Sequence, residues 1–141
     1  MISVVIPLLN EEQLVEKLLR EVFQSLEKTG EAHEVICIDD GSTDTTLQKL
    51  LQVKEQNKVL KIVALSRNFG LQAALTAGLN YAKGHYTVIM DGDFQDPPEL
   101  IPVLYEKIVA SGCDIVTAVR ESRNERYNKR IYLNLFHCIF N

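Results

Sequence analysis

Asp91, Asp93 and Gln95 alternate along a short polar segment that follows an apolar run. Their side chains offer only hard oxygen ligands, which favour Mg²⁺ or Mn²⁺ over zinc, and such ions characteristically bridge protein carboxylates to a substrate's phosphates. In an alternative interpretation, Asp91-Gly92 makes a tight turn and Asp96 caps the following helix. That alternative explains Gly92 and Asp96 but gives Asp93 and Gln95 no role. The segment therefore favours a divalent metal site.

Acidic side chains also follow two earlier apolar runs. Glu11 and Glu12 come after the first run, and Asp39 and Asp40 close the second. In an open parallel sheet the loops after the strands converge at one rim, so three strand ends are expected to bring their carboxylates together. Such a cluster is unfavourable unless a cation or a hydrogen-bonding ligand offsets the repulsion. A metal ion is the simplest answer.

The segment from Asp39 to Asp44 has two interpretations. A strand end, a glycine turn and a helix cap account for Gly41, Ser42 and Asp44, but they give Asp40 no structural role. A carboxylate at a strand end can instead accept hydrogen bonds from a base N–H or from ribose hydroxyls. The chain has no glycine-rich loop of the G-x-G-x-x-G or P-loop kind, so bound phosphates are expected to be held through the metal.

Five basic residues and two acidic ones lie between Arg120 and Arg130. A solvated helix face is the usual explanation for such a run. The other interpretation is an anion site for an acceptor phosphate or an anionic bilayer, which the apolar, aromatic stretch that follows supports. The residues alone leave both interpretations open.

The composition narrows the class of protein. The 141 residues are about one domain long, and a hydrophobic content of 46% can form a core. A charged fraction of 24% with a formal net charge of -4 argues against nucleic acid as a partner, because nucleic-acid binders usually carry a basic excess. No apolar stretch approaches the roughly 20 residues that a bilayer crossing needs. The cysteines lack C-x-x-C spacing and are predicted to be buried, reduced thiols, as in the cytosol: Cys37, Cys113 and Cys138.

Short β-branched runs alternate with segments of helical period, which predicts an α/β fold with helices around a mostly parallel sheet. Near-continuous apolar character is typical of strands covered on both faces. The strands are predicted at residues 2–7, 34–39, 60–65, 86–90 and 114–119. Asn10 with Gln13 is predicted to cap the first helix, Gly84 to end the third, and Pro97 and Pro98 to begin the fourth.

Five segments, in this order, resemble family 2 glycosyltransferases with the GT-A fold, particularly dolichyl-phosphate mannosyltransferases and bacterial polyprenyl-phosphate (bactoprenol) glucosyltransferases. The match covers nearly the whole chain, and the segments together are highly specific although each alone is weak. They are Val4-Val5-Ile6-Pro7 with Asn10-Glu11-Glu12, Asp39 through Asp44, Ser66-Arg67-Asn68-Phe69-Gly70, Met90 through Pro98, and Val119-Arg120. The resemblance implies a Rossmann-like three-layer sandwich.

The resemblance also implies donor-side roles for particular residues. Those implied to bind the nucleotide part of a nucleoside diphosphate sugar are Pro7, Leu9, Glu11, Asp40 and Asp91. A Mg²⁺ or Mn²⁺ ion on the donor diphosphate would be held by Asp91, Asp93 and Gln95. The residues implied in catalysis are Asp93 and Arg120.

The acceptor side is implied to be a polyprenyl phosphate at the cytoplasmic membrane surface, with Arg120 and Arg130 contacting the acceptor phosphate. We therefore predict a nucleotide-sugar-binding GT-A domain at residues 1–123, followed at 124–141 by the start of a basic, amphipathic, membrane-proximal helix. Members of this branch continue beyond this length with acceptor-side residues and, commonly, transmembrane helices. Self-association of the chain is left open.

The reaction predicted is an inverting, metal-dependent transfer of a sugar from a donor of the UDP-glucose or GDP-mannose type. Two alternatives belong to other classes. One is a fragment that binds the donor without catalysis. The other is a phosphoacceptor receiver domain, which would need its acidic pair after the first strand and a lysine after the fifth, where this chain has Arg120.

Overall fold

The computed structural model describes residues 1–119 and 136–139 of the chain. The chain divides into two units, Met1–Ile101 and Pro102–Asn141. The elements in chain order are β1 (Ile2–Leu8), α1 (Val15–Glu27), β2 (His33–Asp39), α2 (Thr46–Gln56), β3 (Leu60–Ala64), α3 (Leu71–Tyr81), β4 (Tyr86–Ile89), α4 (Leu100–Ser111), β5 (Ile115–Ala118) and β6 (Phe136–Ile139).

The first unit is built on a four-stranded sheet in the order β3-β2-β1-β4, and every neighbouring pair is parallel. All seven residues of β1 are buried, because β1 pairs with β2 on one side and β4 on the other and has both faces covered. Val5 shows the register, lying opposite Ile36 of β2 and Ile89 of β4. The predicted α/β fold with a mostly parallel sheet is confirmed.

Helices cover both faces of this sheet at β1 and β2, whereas Thr87 and Ile89 of β4 are exposed. The chain steps outward from β1 to β2 to β3 and then returns across the sheet to β4, so right-handed crossovers place α1 and α2 on one face and α3 on the other. Ala74 of α3 packs in a buried cluster with Val5, Ile36 and Ile38. Gly78 allows this close approach, because a Cβ there would overlap the side chains of Ile38 and Val5. The result is three layers, with the direction of winding reversing at β1.

Two predicted helix boundaries are wrong. Helix α1 begins at Val15 without a side-chain cap, five residues beyond Asn10, whose side chain bonds to another loop. Helix α3 ends at Tyr81, and Gly84 is not among the glycines with positive φ, so it is not a left-handed cap. A Cβ at Gly84 would instead overlap the backbone nitrogen of Ser3, so close packing against β1 requires the glycine.

The second unit contains an antiparallel pair, β5 with β6, in a two-stranded sheet of its own. The prediction that the fifth strand joins the parallel sheet is therefore wrong, as is the predicted helix where Phe136–Ile139 form β6. Apolar residues in short runs fit either period, which is why spacing did not separate helix from strand there. The rest of the predicted helix lies outside the described residues.

The cysteine prediction holds in part. Cys37 is a buried, free thiol in β2, whereas Cys113 is half-buried and disulfide-bonded, which corrects the prediction of a reduced thiol there. Burial raises the pKa of the Cys37 thiol to about 12, so it stays protonated at neutral pH. Among the helices of residues 1–119, none has the length and apolar character needed to cross a bilayer.

Candidate functional site

The loops that follow β1, β2 and β4 lie at the carboxyl edge of the sheet. Because β1 lies between β2 and β4 and the winding reverses there, this edge has the crevice in which open α/β sheets bind ligands. The loop after β1 carries Glu11, the loop after β2 carries Asp44, and the loop after β4 carries Asp93. Each predicted acidic segment is therefore on the same edge.

The loops after β1 and β2 are joined by reciprocal hydrogen bonds, which we call the loop clasp (residues 10–12 with 42–46). The side-chain oxygen of Asn10 accepts a hydrogen bond from the backbone N–H of Thr43 at 2.8 Å, while the Asn10 N–H donates to the Ser42 hydroxyl at 3.0 Å. Asn10 does this from a left-handed backbone conformation with φ of 56°, which Asn tolerates better than most residues.

Glutamates of the first loop extend the loop clasp. The backbone N–H of Glu11 donates to the Thr46 hydroxyl at 2.8 Å, and that of Glu12 donates to a carboxylate oxygen of Asp44 at 3.1 Å. The Glu12 carboxylate accepts hydrogen bonds from the N–H and hydroxyl of Thr45, which lower its pKa. These bonds rigidify the edge and give Glu12 and Asp44 structural roles.

Asp40 is buried and holds the loop between β3 and α3. One of its carboxylate oxygens accepts a hydrogen bond from the N–H of Phe69 at 2.8 Å and the other from that of Gly70 at 2.9 Å. The sequence interpretation that left Asp40 without a structural role is therefore wrong, while its predicted contact with the nucleoside stays a prediction. In the same loop the Arg67 guanidinium lies 4.3 Å from the centre of the exposed Phe69 ring.

Asp39 is the residue that sequence reasoning undervalued. Its side chain is 2% exposed at the end of β2, and its Oδ1 atom has no hydrogen-bond partner among the described residues. A buried carboxylate oxygen without a partner is costly, and such atoms often mark a functional site. The only sequence signal was its place beside Asp40, because two adjacent carboxylates at a strand end do not reveal which one the fold satisfies.

The loop after β4, residues 91–96, is held close to the end of β1. Gly92 is buried against Leu8, and a Cβ at Gly92 would overlap the Leu8 side chain. Within the loop, Asp93 Oδ1 accepts a hydrogen bond from the Gln95 N–H at 2.8 Å, and Asp96 Oδ2 accepts one from the Asp91 N–H at 3.2 Å. The turn therefore uses part of Asp93 as well as Asp96.

The charges of the three loops act on one another at this edge. Burial raises the pKa of the Glu11 carboxyl above its ordinary value of 4.5, and the negative charges of Asp93 and Asp44 raise it further. Glu11 is thus close enough to acidic groups from both neighbouring loops to be affected by each. A cation bound here would relieve this repulsion.

The donor set fits a cation that is shared with a ligand. No three His, Cys, Asp or Glu side chains within the described part of the chain are arranged to hold a metal ion by themselves. Mg²⁺ typically binds one or two carboxylates and completes its shell with water and substrate phosphates, so a closed protein cage is not required. Asp91, Asp93 and Gln95 supply carboxylate and amide oxygens of the right kind.

The remaining predicted residues divide into two groups. Pro7 is buried in β1 beside Gly92, and Leu9 is 39% exposed just beyond the strand, so both lie at the crevice edge. Arg120 and Arg130 lie outside the described residues.

A fold wound in two directions around a parallel sheet, with acidic loops at the switch point, matches a known class of proteins. The model of glycosyl transferase family 2 matches residues 3–137, and the chain belongs to this family. The receiver-domain alternative is therefore rejected. The match assigns the family of the domain and not a particular enzyme within that family.

Two curated relatives carry glycosyltransferase names. The chain is 43% identical over 139 residues to the uncharacterized glycosyltransferase sll0501 of Synechocystis sp., covering 98% of this chain and 43% of the relative. It is 37% identical over 136 residues to the uncharacterized glycosyltransferase YkcC of Bacillus subtilis, covering 96% of this chain and 42% of the relative. The chain thus spans less than half the length of these relatives.

Solved structures agree on the fold. TarS of S. aureus (residues 1–349), in complex with UDP-GlcNAc, is 29% identical with a TM-score of 0.66, and the match covers 90% of this chain and 36% of that one. The mannosyltransferase PcManGT of Pyrobaculum calidifontis, in complex with GDP-Man and Mn²⁺, has a TM-score of 0.74 at 24% identity, covering 85% of this chain and 35% of that one. The second likeness shows the fold alone.

Proposed function

We propose that this chain forms the donor-binding part of an inverting glycosyltransferase that takes a sugar from a nucleoside diphosphate sugar. The observation that carries the proposal is the acidic edge, where the loops after the parallel strands β1, β2 and β4 carry Glu11, Asp44 and Asp93. Carboxylates gathered at the switch point of a parallel sheet suit a ligand whose phosphates arrive with a divalent cation.

The donor's nucleoside would occupy the β1–β2 side of the crevice. Leu9 offers exposed apolar surface there, and the buried Asp39 Oδ1 offers an acceptor for a base N–H or a ribose hydroxyl. Pro7 and Glu11 lie along the same edge, and Asp40 would contribute through the loop it holds as well as by direct contact. The loop clasp keeps this half of the site rigid before the donor arrives, which lowers the entropic cost of binding.

The diphosphate would lie toward the loop after β4, with Asp91, Asp93 and Gln95 holding Mg²⁺ or Mn²⁺. The transfer breaks the bond between the anomeric carbon and the donor diphosphate and forms a bond to the acceptor, so negative charge builds on the departing diphosphate. A bound divalent ion supplies neutralisation of that charge. Gly92 lets this loop reach the end of β1, which brings Asp93 toward the nucleoside side.

The acceptor we propose is a polyprenyl phosphate at the cytoplasmic face of a membrane. A phosphate acceptor is already anionic, so the chain needs no strong general base, unlike a transferase acting on a sugar hydroxyl. Support comes from the basic run that contains Arg120 and Arg130, which would contact the acceptor phosphate, and from the apolar stretch after it. On this proposal residues 1–123 serve the donor and 124–141 begin the membrane-proximal part.

A second candidate is donor binding without transfer by this chain. The acidic edge and the buried Asp39 Oδ1 atom would serve donor binding whether or not the chain also catalyses transfer. Adding a polyprenyl phosphate to the protein with its bound donor separates the two: a glycolipid product supports the transferase, and a bound donor that never reacts supports the second candidate.

A binding screen tests the proposal. UDP-glucose, UDP-GlcNAc, GDP-mannose and the two free diphosphates are titrated calorimetrically with and without MnCl₂. We expect at least one nucleotide sugar to bind, and to bind more tightly with Mn²⁺. If no UDP or GDP ligand binds in either condition, the proposal is rejected.

A further inference from the structure

Phe94 lies at the centre of the loop after β4 in a backbone conformation that is unusual for its type. Its φ is 62°, and Asn10 is the other non-glycine residue with positive φ in the described part of the chain. The left-handed region brings the β-carbon close to the carbonyl oxygen, so a bulky residue stays there only when its surroundings hold it. Asn10 is held by the loop clasp, and Phe94 needs a different support.

Helix α1 supplies one contact to the Phe94 ring. The Lys17 ammonium lies 5.0 Å from the centre of the half-buried Phe94 ring, within the range of a cation–π contact. Lys17 projects from the first turn of the helix and also pairs with Glu21, one turn later, at 3.8 Å. The Phe94 ring therefore contacts α1, the helix that follows residues 10–12 of the loop clasp.

The contact between Lys17 and Phe94 matters because of where Phe94 lies in the loop. Phe94 stands between Asp93 and Gln95, and Asp93 Oδ1 accepts the Gln95 N–H across it at 2.8 Å. The backbone conformation at Phe94 therefore sets how the two flanking side chains are directed. We expect a negative φ at Phe94 to direct the Asp93 and Gln95 side chains differently.

We propose that Lys17 is a positioning residue which, through the Phe94 ring, holds residues 91–96 in the conformation that presents Asp93 and Gln95 to a divalent cation. This inference rests on the proposed function for the identity of the ligand. Lys17 itself touches neither the cation nor the donor. It couples α1, which follows the nucleoside-side loop, to the loop that meets the diphosphate.

The first test needs no ligand. In metal-free protein, backbone hydrogen exchange at the Gln95 amide reports whether the loop keeps its turn. We expect Lys17→Met to speed that exchange by about two- to fivefold, the factor expected for an exposed cation–π contact, and Lys17→Arg to leave it near the native rate. Exchange that is unchanged in Lys17→Met overturns the inference, whatever the protein binds.

The second test measures Mn²⁺ affinity by electron paramagnetic resonance of free Mn²⁺ in the presence of saturating UDP or GDP. Lys17→Met and Phe94→Leu should each weaken Mn²⁺ binding by about two- to fivefold, and the double variant should be no weaker than the worse single one. Additive losses, or a Lys17→Arg variant as weak as Lys17→Met, would contradict a contact between these two residues.

Two matched controls separate this contact from general effects. Lys58→Met removes a positive charge from an exposed residue between α2 and β3, and Glu21→Gln removes the ion-pair partner of Lys17. Both should keep native Mn²⁺ affinity and native exchange at Gln95. If the native protein fails to bind Mn²⁺ both in the presence of UDP and in the presence of GDP, the proposed function fails. The exchange experiment still decides whether Lys17 holds the loop.

Discussion

The Asp40 carboxylate accepts the backbone N–H of Phe69 at 2.8 Å, across 29 residues of sequence, and also that of Gly70 at 2.9 Å. The end of β2 thereby holds the loop that begins α3. Gly41 follows with φ of 71° and packs against the backbone of Arg67 and Asn68, so glycine is required by both its conformation and its neighbours.

Asp40→Ala is expected to destabilise the fold by about 2–4 kcal/mol, because two backbone donors lose a charged acceptor. Asp40→Asn keeps one acceptor oxygen and should lose about half as much. Urea unfolding followed by circular dichroism measures both. Equal stability of the Ala variant and the native protein would show that these hydrogen bonds are not what Asp40 contributes.

Two substitutions at Asn10 separate the free-energy cost of its lost hydrogen bond from the cost of its left-handed backbone conformation. Asn10→Gly tolerates the φ of 56° but loses the hydrogen bond from Thr43, and should cost about 1 kcal/mol. Asn10→Ala loses the same bond and also leaves a residue that tolerates the left-handed region less well than asparagine or glycine, so its cost should be about 2 kcal/mol. Thermal and urea unfolding of the pair check this order, and an Ala variant more stable than the Gly variant would contradict it.

Gly92→Ala should impair the site more than the fold. The new Cβ would overlap Leu8 and push the loop after β4 outward, which we expect to lower the transfer rate by about ten- to a hundredfold. Adding Leu8→Val removes the overlapping carbon and should restore part of the loss. Gly30→Ala is the control, because its φ is 67° and a Cβ there would meet nothing within 4 Å. It should cost about 1 kcal/mol of stability and leave the rate native.

The raised pKa of the Glu11 carboxyl predicts that the free energy of unfolding depends on pH. Its folded-state pKa is raised, by burial first and then by Asp93 and Asp44, so the ionised form is less favourable in the folded protein than in the unfolded chain. The carboxyl therefore stabilises the fold at pH below its ordinary value of 4.5, and this contribution is lost as pH rises through the raised pKa.

Glu11→Gln should accordingly raise the melting temperature at pH 7, and the difference should shrink as the pH falls through the raised pKa towards the ordinary value of 4.5. Differential scanning calorimetry across this range checks the sign. A lower melting temperature for Glu11→Gln at neutral pH would mean that the Glu11 charge is favourable at the metal-free edge, contrary to the electrostatics described above.

Local pattern predicted the parallel core well, because the strands that are buried on both faces read as apolar runs. Asn10 shows why boundaries failed: its partner Thr43 is 33 residues away, so no local spacing reveals that its side chain joins two loops instead of capping α1. Gly84 was misread for the same reason, since its close neighbour is Ser3 on β1.

The site was predictable in its location and less so in its detail. Acidic residues after successive strands must share an edge once the strands are parallel, so Glu11 and Asp93 could be placed together from the sequence. The different roles of Asp39 and Asp40 could not be predicted, because they depend on which carboxylate accepts the N–H groups of the loop after β3. Likewise, no pattern linked Lys17 to Phe94.

The central claim is that Asp93 holds a divalent cation on the diphosphate of a nucleotide sugar. Asp93→Asn tests it cleanly, because the amide oxygen can still accept the Gln95 N–H while the negative charge is gone. The exposed Glu99, which directly precedes α4, gives a matched control in Glu99→Gln.

The deciding measurement is calorimetric titration of the nucleotide sugar that binds the native protein, with and without MnCl₂, into native, Asp93→Asn and Glu99→Gln proteins. We expect Mn²⁺ to strengthen donor binding in the native and Glu99→Gln proteins, and Asp93→Asn to lose that gain, weakening binding in Mn²⁺ by more than about tenfold. Unchanged Mn²⁺-dependent affinity in Asp93→Asn would contradict the assignment of the metal site.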